Sequence, residues 1–557
     1  MNGRFCARLC ILASLLSIVP LAAQPAADVV RHRDAALARL RDGDTPGALS
    51  EIHAALAINP NDAPSHDALG VILGESGHVG ASVFEFRESI RLDPQSPEAH
   101  FHLGLALERT DQARDAIEAY EHALLQRPEM LEARYGLSSA CARVGDLNGA
   151  ISVLHDVLDA LPSLAEAHYN LGLHLWNRYK RSAGARHYAD LDEARKQLGA
   201  AIDLAPREAA YHAALGQLLA DTQELTGAIE HLRSATTLAP ADAEHAYDLG
   251  LALRLSGALD DAEAQFRAAI QRDAHHALAY RALGLVLRQK GEYAAAADAL
   301  RRSVSERPGD AQARHVMGTV LLKLNRVDEA VAELRAAIRL DPSMTEARVM
   351  LAQTFARIGR MAEARDQQSE IERLNAEHAD ESRALVLVQT AVDRLDQNDV
   401  TVAVDQLREA ASLSPRFTEA HYHLGLALTR SASAAADADA AFRRVLALEP
   451  NHAPAHYQLA LLEARRDRAS AAADLRAAIS SEPGVIDARR ALARLAADAG
   501  EWKTAAAEFQ KVVIWAPRVA DAHVDLAAAL TALGDARAAA REQAIARQLQ
   551  PAPRPPR

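Results

Sequence analysis

Cysteine, aromatic residues and long apolar runs are all scarce in this chain. It has 3 cysteines in 557 residues, aromatics make up 4%, and β-branched residues are thinly spread. Cys6 and Cys10 lie near the start, so Cys141 is the one thiol of the remaining sequence and an internal disulfide is excluded there. There is no paired CxxC, HExxH, GxSxG or Walker A loop, so no residue is singled out as catalytic, cofactor-binding or metal-binding, and no enzyme activity or cofactor is expected. Basic residues are outnumbered 62 to 75, a net charge of −13, which argues against nucleic acid as a partner. Beyond the first residues no segment approaches the ~20 apolar residues that cross a bilayer, so no transmembrane segment is expected apart from a leader.

Residues 1–23 have the layout of a secretory signal peptide. Arg4 and Arg8 form a basic start, Leu9 to Val19 are apolar, Pro20 ends the run, and Ala22-Ala23 offer a cleavage point. The other reading is a buried first helix or an uncleaved anchor. Cleavage would leave 60 basic against 75 acidic residues, a net charge of −15. The expected location is periplasmic or secreted.

What the chain does have is alanine, leucine and a period. Its length exceeds one compact core, since domains usually run about 50–250 residues. Pro60, Pro94, Pro128 and Pro162 stand 34 apart, as do Pro206 and Pro240, and Pro308 and Pro342. Pro415, Pro450, Pro483, Pro517 and Pro551 continue at 35, 33, 34 and 34. Gly216, Gly250, Gly284 and Gly318 keep the same step. Self-similarity at this period signals a helical array.

The stretch Pro97–Met130 closely resembles the tetratricopeptide-repeat (TPR) family. Leu103-Gly104 match its first-helix pair, Ala116, Tyr120 and Ala123 its second-helix pattern, and Pro128 closes the repeat; His100 departs from the family by standing in its tryptophan place. Fifteen repeats fit from Val29 to Pro553. The resemblance implies an all-α fold, a right-handed superhelical solenoid of helix-turn-helix repeats. Physical reasons exist for each place. Gly104 and its equivalents, with Ala116 and Ala123, let paired helices approach closely. Gly43, Gly77, Gly145, Gly257, Gly291, Gly359, Gly500 and Gly534, with Asn325 and Asn398, share one turn place where a left-handed residue ends a helix. His66, His100, His168, His212, His421, His456 and His523 occupy one place per repeat, too far apart to share a metal ion, and read as aromatic-like packing residues with a polar edge.

The regularity breaks twice. Between Pro162 and Pro206 ten extra residues carry Arg178, Lys180, Arg181 and Arg186, either a tolerated surface insertion or a basic arm. Between Pro342 and Pro415 the step is 73, two repeats plus five residues, and 366–383 is polar. That stretch reads either as an extended second helix forming a joint or as an uninterrupted solenoid. The expected organisation is a signal peptide over 1–23, a first TPR block over 24–376, a joint at 377–383, a second block over 384–550 and a disordered proline-rich tail over 551–557.

Candidate binding residues lie on the first helices. Tyr135, Tyr169, Tyr247, Tyr422 and Tyr457 share a groove-facing place with Phe101, and Arg281 and His315 take it in two repeats. Arg254, Arg288, Lys323 and Arg357 end four successive first helices. One reading is ordinary packing plus cations complementing helix dipoles. The other is an aromatic groove with a basic rim for an acidic peptide. The asparagine ladder of TPR-bearing sugar transferases and the Lys/Asn carboxylate clamp of chaperone-binding TPRs are not matched: the first set of places holds His102, Gly136, Asn170, Ala214, Asp248 and Ala282. The expected function is an exported scaffold binding a protein or peptide. Glycan binding or polysaccharide export, and regulation of a separately encoded enzyme, are the alternatives.

Overall fold

The computed structural model describes residues 24–181, 188–430 and 434–549. The expected signal peptide, part of the basic insertion and the expected disordered tail lie outside them. Among the described residues there are 29 helices and no strand. They form fifteen antiparallel pairs, because one helix, Met361–Asp396, serves as second helix of the tenth pair and first helix of the eleventh. The polar stretch 366–383 and the expected joint at 377–383 fall inside this helix of 36 residues.

Local chemistry sets the helix starts. Asp62 accepts from Ser65 N at 3.0 Å, Ser96 from Ala99 N at 3.3 Å and Asp310 from Ala313 N at 2.8 Å, each capping an orphan N–H. Pro64 and Pro97 sit in first turns, where a missing N–H costs nothing. The turn place behaves as its composition requires. All eight glycines have φ of 76–92°, and Asn325 and Asn398 have 57° and 63°. Asp111 and Gln223 hold the same conformation at the same repeat place, which composition did not single out.

Many pairs close on a glycine, and others on a small residue at the same place, such as Ser138, Ala460, Ala493 and Ala527. A Cβ on Gly104 would stand 2.5 Å from the Tyr120 ring, on Gly250 2.6 Å from Phe266 and on Gly284 2.6 Å from Leu300 Cγ. The small residues facing them, such as Ala116, Ala262 and Ala296, are fully buried. Ser82 takes this place once and is fully buried too; its hydroxyl donates to Val79 O at 2.7 Å.

The histidine place does more than pack. Six residues after the closing proline, the ring reaches back to that proline's carbonyl: His66 Nε2 to Pro60 O at 3.0 Å, His456 to Pro450 O at 3.0 Å and His523 to Pro517 O at 2.9 Å. The other ring nitrogen meets a carboxylate on the second helix, Glu85 at 2.7 Å for His66 and Glu542 at 2.6 Å for His523. Arg134, Arg314, Arg348 and Arg489 make the same proline-carbonyl bond in their repeats, at 3.1, 3.2, 3.2 and 2.8 Å. The place is thus a cationic or imidazole staple between repeats, with the ring's expected polar edge carrying the bond.

The chain divides into two compact units, one made of residues 1–163 and 428–557 and the other of residues 164–427. In the first, the N-terminal and C-terminal stretches pack on each other. Glu121 accepts from Arg489 at 2.6 Å and from the Trp515 indole at 2.7 Å. Trp515 is 1% exposed and joins a core containing Phe86, Phe101, Tyr120 and Leu137. The second unit is a run of repeats whose first helices lie side by side from Ala209–Asp221 to Thr345–Arg357. Its interior is small and aliphatic, with Phe266 and Phe355 among its largest buried side chains.

Candidate interaction site

The second compact unit holds most of the groove residues. Tyr247, Arg281 and His315 occupy one place on the first helices Ala243–Leu255, Ala277–Lys290 and Ala311–Lys323, and all three are half-buried. Tyr247 packs against Phe266, centroids 6.0 Å apart, and against His276 of the next repeat at 5.0 Å. Burial raises the Tyr247 hydroxyl's pKa, with Arg281 nearby opposing the shift. Arg281 is spent internally: its guanidinium meets both oxygens of Asp310, the cap of the next helix, at 3.0 and 2.8 Å. His315 lies within the field of Arg288 and Glu346, and burial holds its pKa below the ordinary imidazole value. Its Nδ1 is buried without a hydrogen-bond partner. Asp248, bonded by Gln217 at 2.6 Å, is pushed up to about 6 by burial.

The cations at the helix ends differ in how far they are spent, and Arg465 of the first compact unit, like Lys323 and Arg357 below, is exposed without an ion pair among the described residues. In the same unit, Arg109 donates to Gly74 O and Arg143 to Asp111, each at 2.9 Å, so both are used to tie repeats together. In the second, Arg254 has a buried Nε with no partner, and Arg288 makes a single long contact of 3.4 Å to Thr319. Lys323 and Arg357 stand exposed, with no ion pair among the described residues. These four close successive first helices, so the row expected from spacing is a row of largely unspent donors. Arg281, by contrast, does not add to it.

The tyrosines are divided between the two compact units. Tyr169, Tyr247 and Tyr422 belong to the second compact unit, Tyr135 and Tyr457 to the first. Each is half-buried. Tyr169 packs on Tyr211 with centroids 4.8 Å apart, and burial raises the pKa of both, Tyr211 to about 12. Tyr422 meets His423 edge-on at 5.5 Å. Burial also raises the pKa of Tyr457, helped by Asp487. Much of this aromatic surface therefore serves contacts between neighbouring repeats.

Other features offer less. A cavity of ≈ 340 Å³ lined by Arg335, Arg348, Phe355, Glu363 and Asp366 has Arg335 stacked 5.3 Å from the Phe355 ring, and Glu363 already pairs with Arg335 at 2.9 Å. No cluster of three metal-ligating side chains occurs among the described residues. No described helix is long and apolar enough to cross a membrane. Cys141 is buried, and burial raises its thiol pKa well above the ordinary value. Two features escaped the sequence. The proline-carbonyl arginines were marked only by standing six residues after each proline, and nothing local marked Glu121, Asp146, Gly484 or Trp515 as meeting one another.

Comparison with known proteins agrees with the geometry. The family model described as tetratricopeptide repeat matches residues 107–165, 189–243, 247–311, 315–379 and 388–453, and a second tetratricopeptide-repeat model matches 287–342. No curated protein matches the chain. Among solved structures, the chain is similar to YrrB, a TPR protein with an unusual peptide-binding site: 22% identity, 32% of this chain and 91% of that one, TM-score 0.29. It is also similar to MamA from Desulfovibrio magneticus RS-1, with 21% identity, 30% and 94% coverage and a TM-score of 0.29. The APC/C hetero-tetramer Cut9–Hcn1 aligns over 91% of this chain and 97% of its own, at 14% identity and a TM-score of 0.34. With family matches over more than half its length and fifteen helix pairs built on the family's packing places, the chain belongs to the tetratricopeptide-repeat family, whose arrays are scaffolds for protein–protein interaction.

Proposed function

We propose that the protein is an exported scaffold that holds an acidic protein segment along the first helices of residues 243–357. The observation that carries this reading is the row Arg254, Arg288, Lys323 and Arg357, whose donors stay largely unspent while the equivalent Arg109 and Arg143 are consumed between repeats. In a chain of net charge −13 such a row is a local reversal of sign. Neighbouring Tyr247 and His315 supply a half-buried apolar and polar floor. An extended acidic peptide would place carboxylates on the rim and apolar side chains between helices. Export rests on the leader-like residues 1–23.

The test is affinity for the natural partner, recovered by pull-down from an envelope fraction and identified by mass spectrometry. Arg254, Arg288 and Arg357 changed together to Gln should weaken binding with helical content unchanged. The wild-type affinity should fall as salt rises, because exposed charges are screened beyond about 10 Å at 0.1 M. Equal affinities for both proteins at both salts would remove the row from the account. Polysaccharide in place of protein in the eluate would favour glycan binding instead. An intact Met1 on cytoplasmic protein would reject export.

A further inference from the structure

The contact inside the first compact unit has the chemistry of a recognition site. One side is the surface of residues 113–160 and supplies mainly acceptors. Glu121, 3% exposed, takes the Arg489 guanidinium at 2.6 Å and the Trp515 indole N–H at 2.7 Å. Asp146 accepts from Gly149 N of its own helix at 2.8 Å and from Gly484 N at 2.6 Å. Arg134 returns one donor, to Ile514 O at 3.1 Å. The shapes are matched as closely as the charges. A Cβ on Gly484 would stand 2.5 Å from Gly149 Cα, and one on Gly149 would stand 3.1 Å from the Trp515 ring, so the two backbones touch where neither residue has a side chain. Arg518 and Asp159 pair at the exposed rim.

We propose that the surface of residues 113–160 is a protein-docking site whose ligand is the 483–518 stretch of this chain, and that the same pairing forms between two copies when pairing within one copy is blocked. The bonds join residues 338 to 394 positions apart in sequence, so none depends on local connectivity. Pairing within one chain is favoured by effective concentration alone. A two-fold exchange would make every one of these bonds twice, with no new chemistry. A second copy is the fitting partner because it carries the complete complement: a guanidinium and an indole N–H for one buried carboxylate, and a glycine for the glycine.

The experiment uses two full-length variants, Glu121→Arg and Arg489→Glu. Each alone sets like charges across the site, in its own chain and between identical copies. Mixed, they restore opposite charges at both contacts of an exchanged pair. Light scattering on sized material should show monomer for each variant and a 1:1 dimer for the mixture. Monomer alone in the mixture would overturn the proposal. Should either variant lose helical content, Gly149→Ala and Gly484→Ala each obstruct the pairing within a copy with one methyl group, and their mixture, which keeps one contact of unaltered sequence, should dimerise likewise. Adding Gly484→Val to both charge-reversed chains blocks both contacts of the exchanged pair and should abolish the mixed dimer, and its survival would show that the copies meet elsewhere.

Discussion

Replacing Gly104 by alanine tests the closure of a repeat with one methyl group. The new Cβ would lie 2.5 Å from Tyr120 Cε1, well inside van der Waals contact. The ring has no room to yield. Gly136 presses on it from the next repeat, where a Cβ would stand 2.6 Å away, and the hydroxyl is bonded to Glu108 at 2.7 Å. Alanine favours a helix interior over glycine by about 1 kcal/mol. Overpacking a closed core costs about 1–3 kcal/mol, and with the ring held on both sides the upper part of that range applies, so Gly104→Ala should lower local stability by up to roughly 2 kcal/mol after that gain. Gly199 provides the control, because a Cβ there meets nothing within 4 Å. Gly199→Ala should therefore stabilise its helix by about 0.5–1 kcal/mol. Gly284→Leu should cost on the order of 1–3 kcal/mol against Leu300, since a leucine cannot fit where a Cβ already reaches 2.6 Å from Leu300 Cγ. Long repeat arrays need not unfold in two states, so hydrogen exchange in Pro97–Arg109 and Ala113–Gln126 is the proper assay. Equal or greater protection in Gly104→Ala would refute the close-contact argument.

Three further predictions follow from charge placement. Burial opposes protonation of His66, but Glu85 and the Pro60 carbonyl outweigh it and raise its pKa, while burial and the neighbouring His122 lower that of His100. The His66 staple should thus contribute fully below about pH 6.5 and fade as pH rises through its raised folded pKa, whereas His100 should lose stability as pH falls through 6.5; opposite midpoint shifts in an NMR titration would show it, and a common midpoint would not. Because Asp248 titrates at about 6, an acidic partner should bind the second unit more tightly as pH falls through that value, and Asp248→Asn should remove the step in a binding titration. Arg489→Met leaves the buried Glu121 with only the indole donor, so the contact should weaken by about 3–5 kcal/mol and proteolysis should reach 483–518 sooner.

The repeat was legible because its constraints are local and recur. Gly104 and Ala116 must be small where two helices meet, and Gly145 and Asn325 must take a positive φ, so each constraint reappears every 34 or so residues. The same periodicity placed the cation row. It could not tell which cations are spent, since Arg281 is neutralised by Asp310 one repeat later and Arg254 is not. Nor could it show that Met361–Asp396 runs through without a turn, because a polar stretch of good helix formers fits a joint and a continuous helix equally well. Glu121 and Arg489 stayed hidden because they stand 368 positions apart and nothing in either repeat's local pattern marks the other.

The most direct test of the scaffold account is site-specific photo-crosslinking in whole cells. A crosslinking residue at position 247, on the row of first helices, is compared with one at position 84, where Phe84 is 67% exposed on a second helix. The account predicts a discrete protein adduct of constant mass from position 247 that disappears in the Arg254, Arg288 and Arg357 triple variant, and none from position 84. The same adduct from both positions, or its persistence in the triple variant, would contradict it.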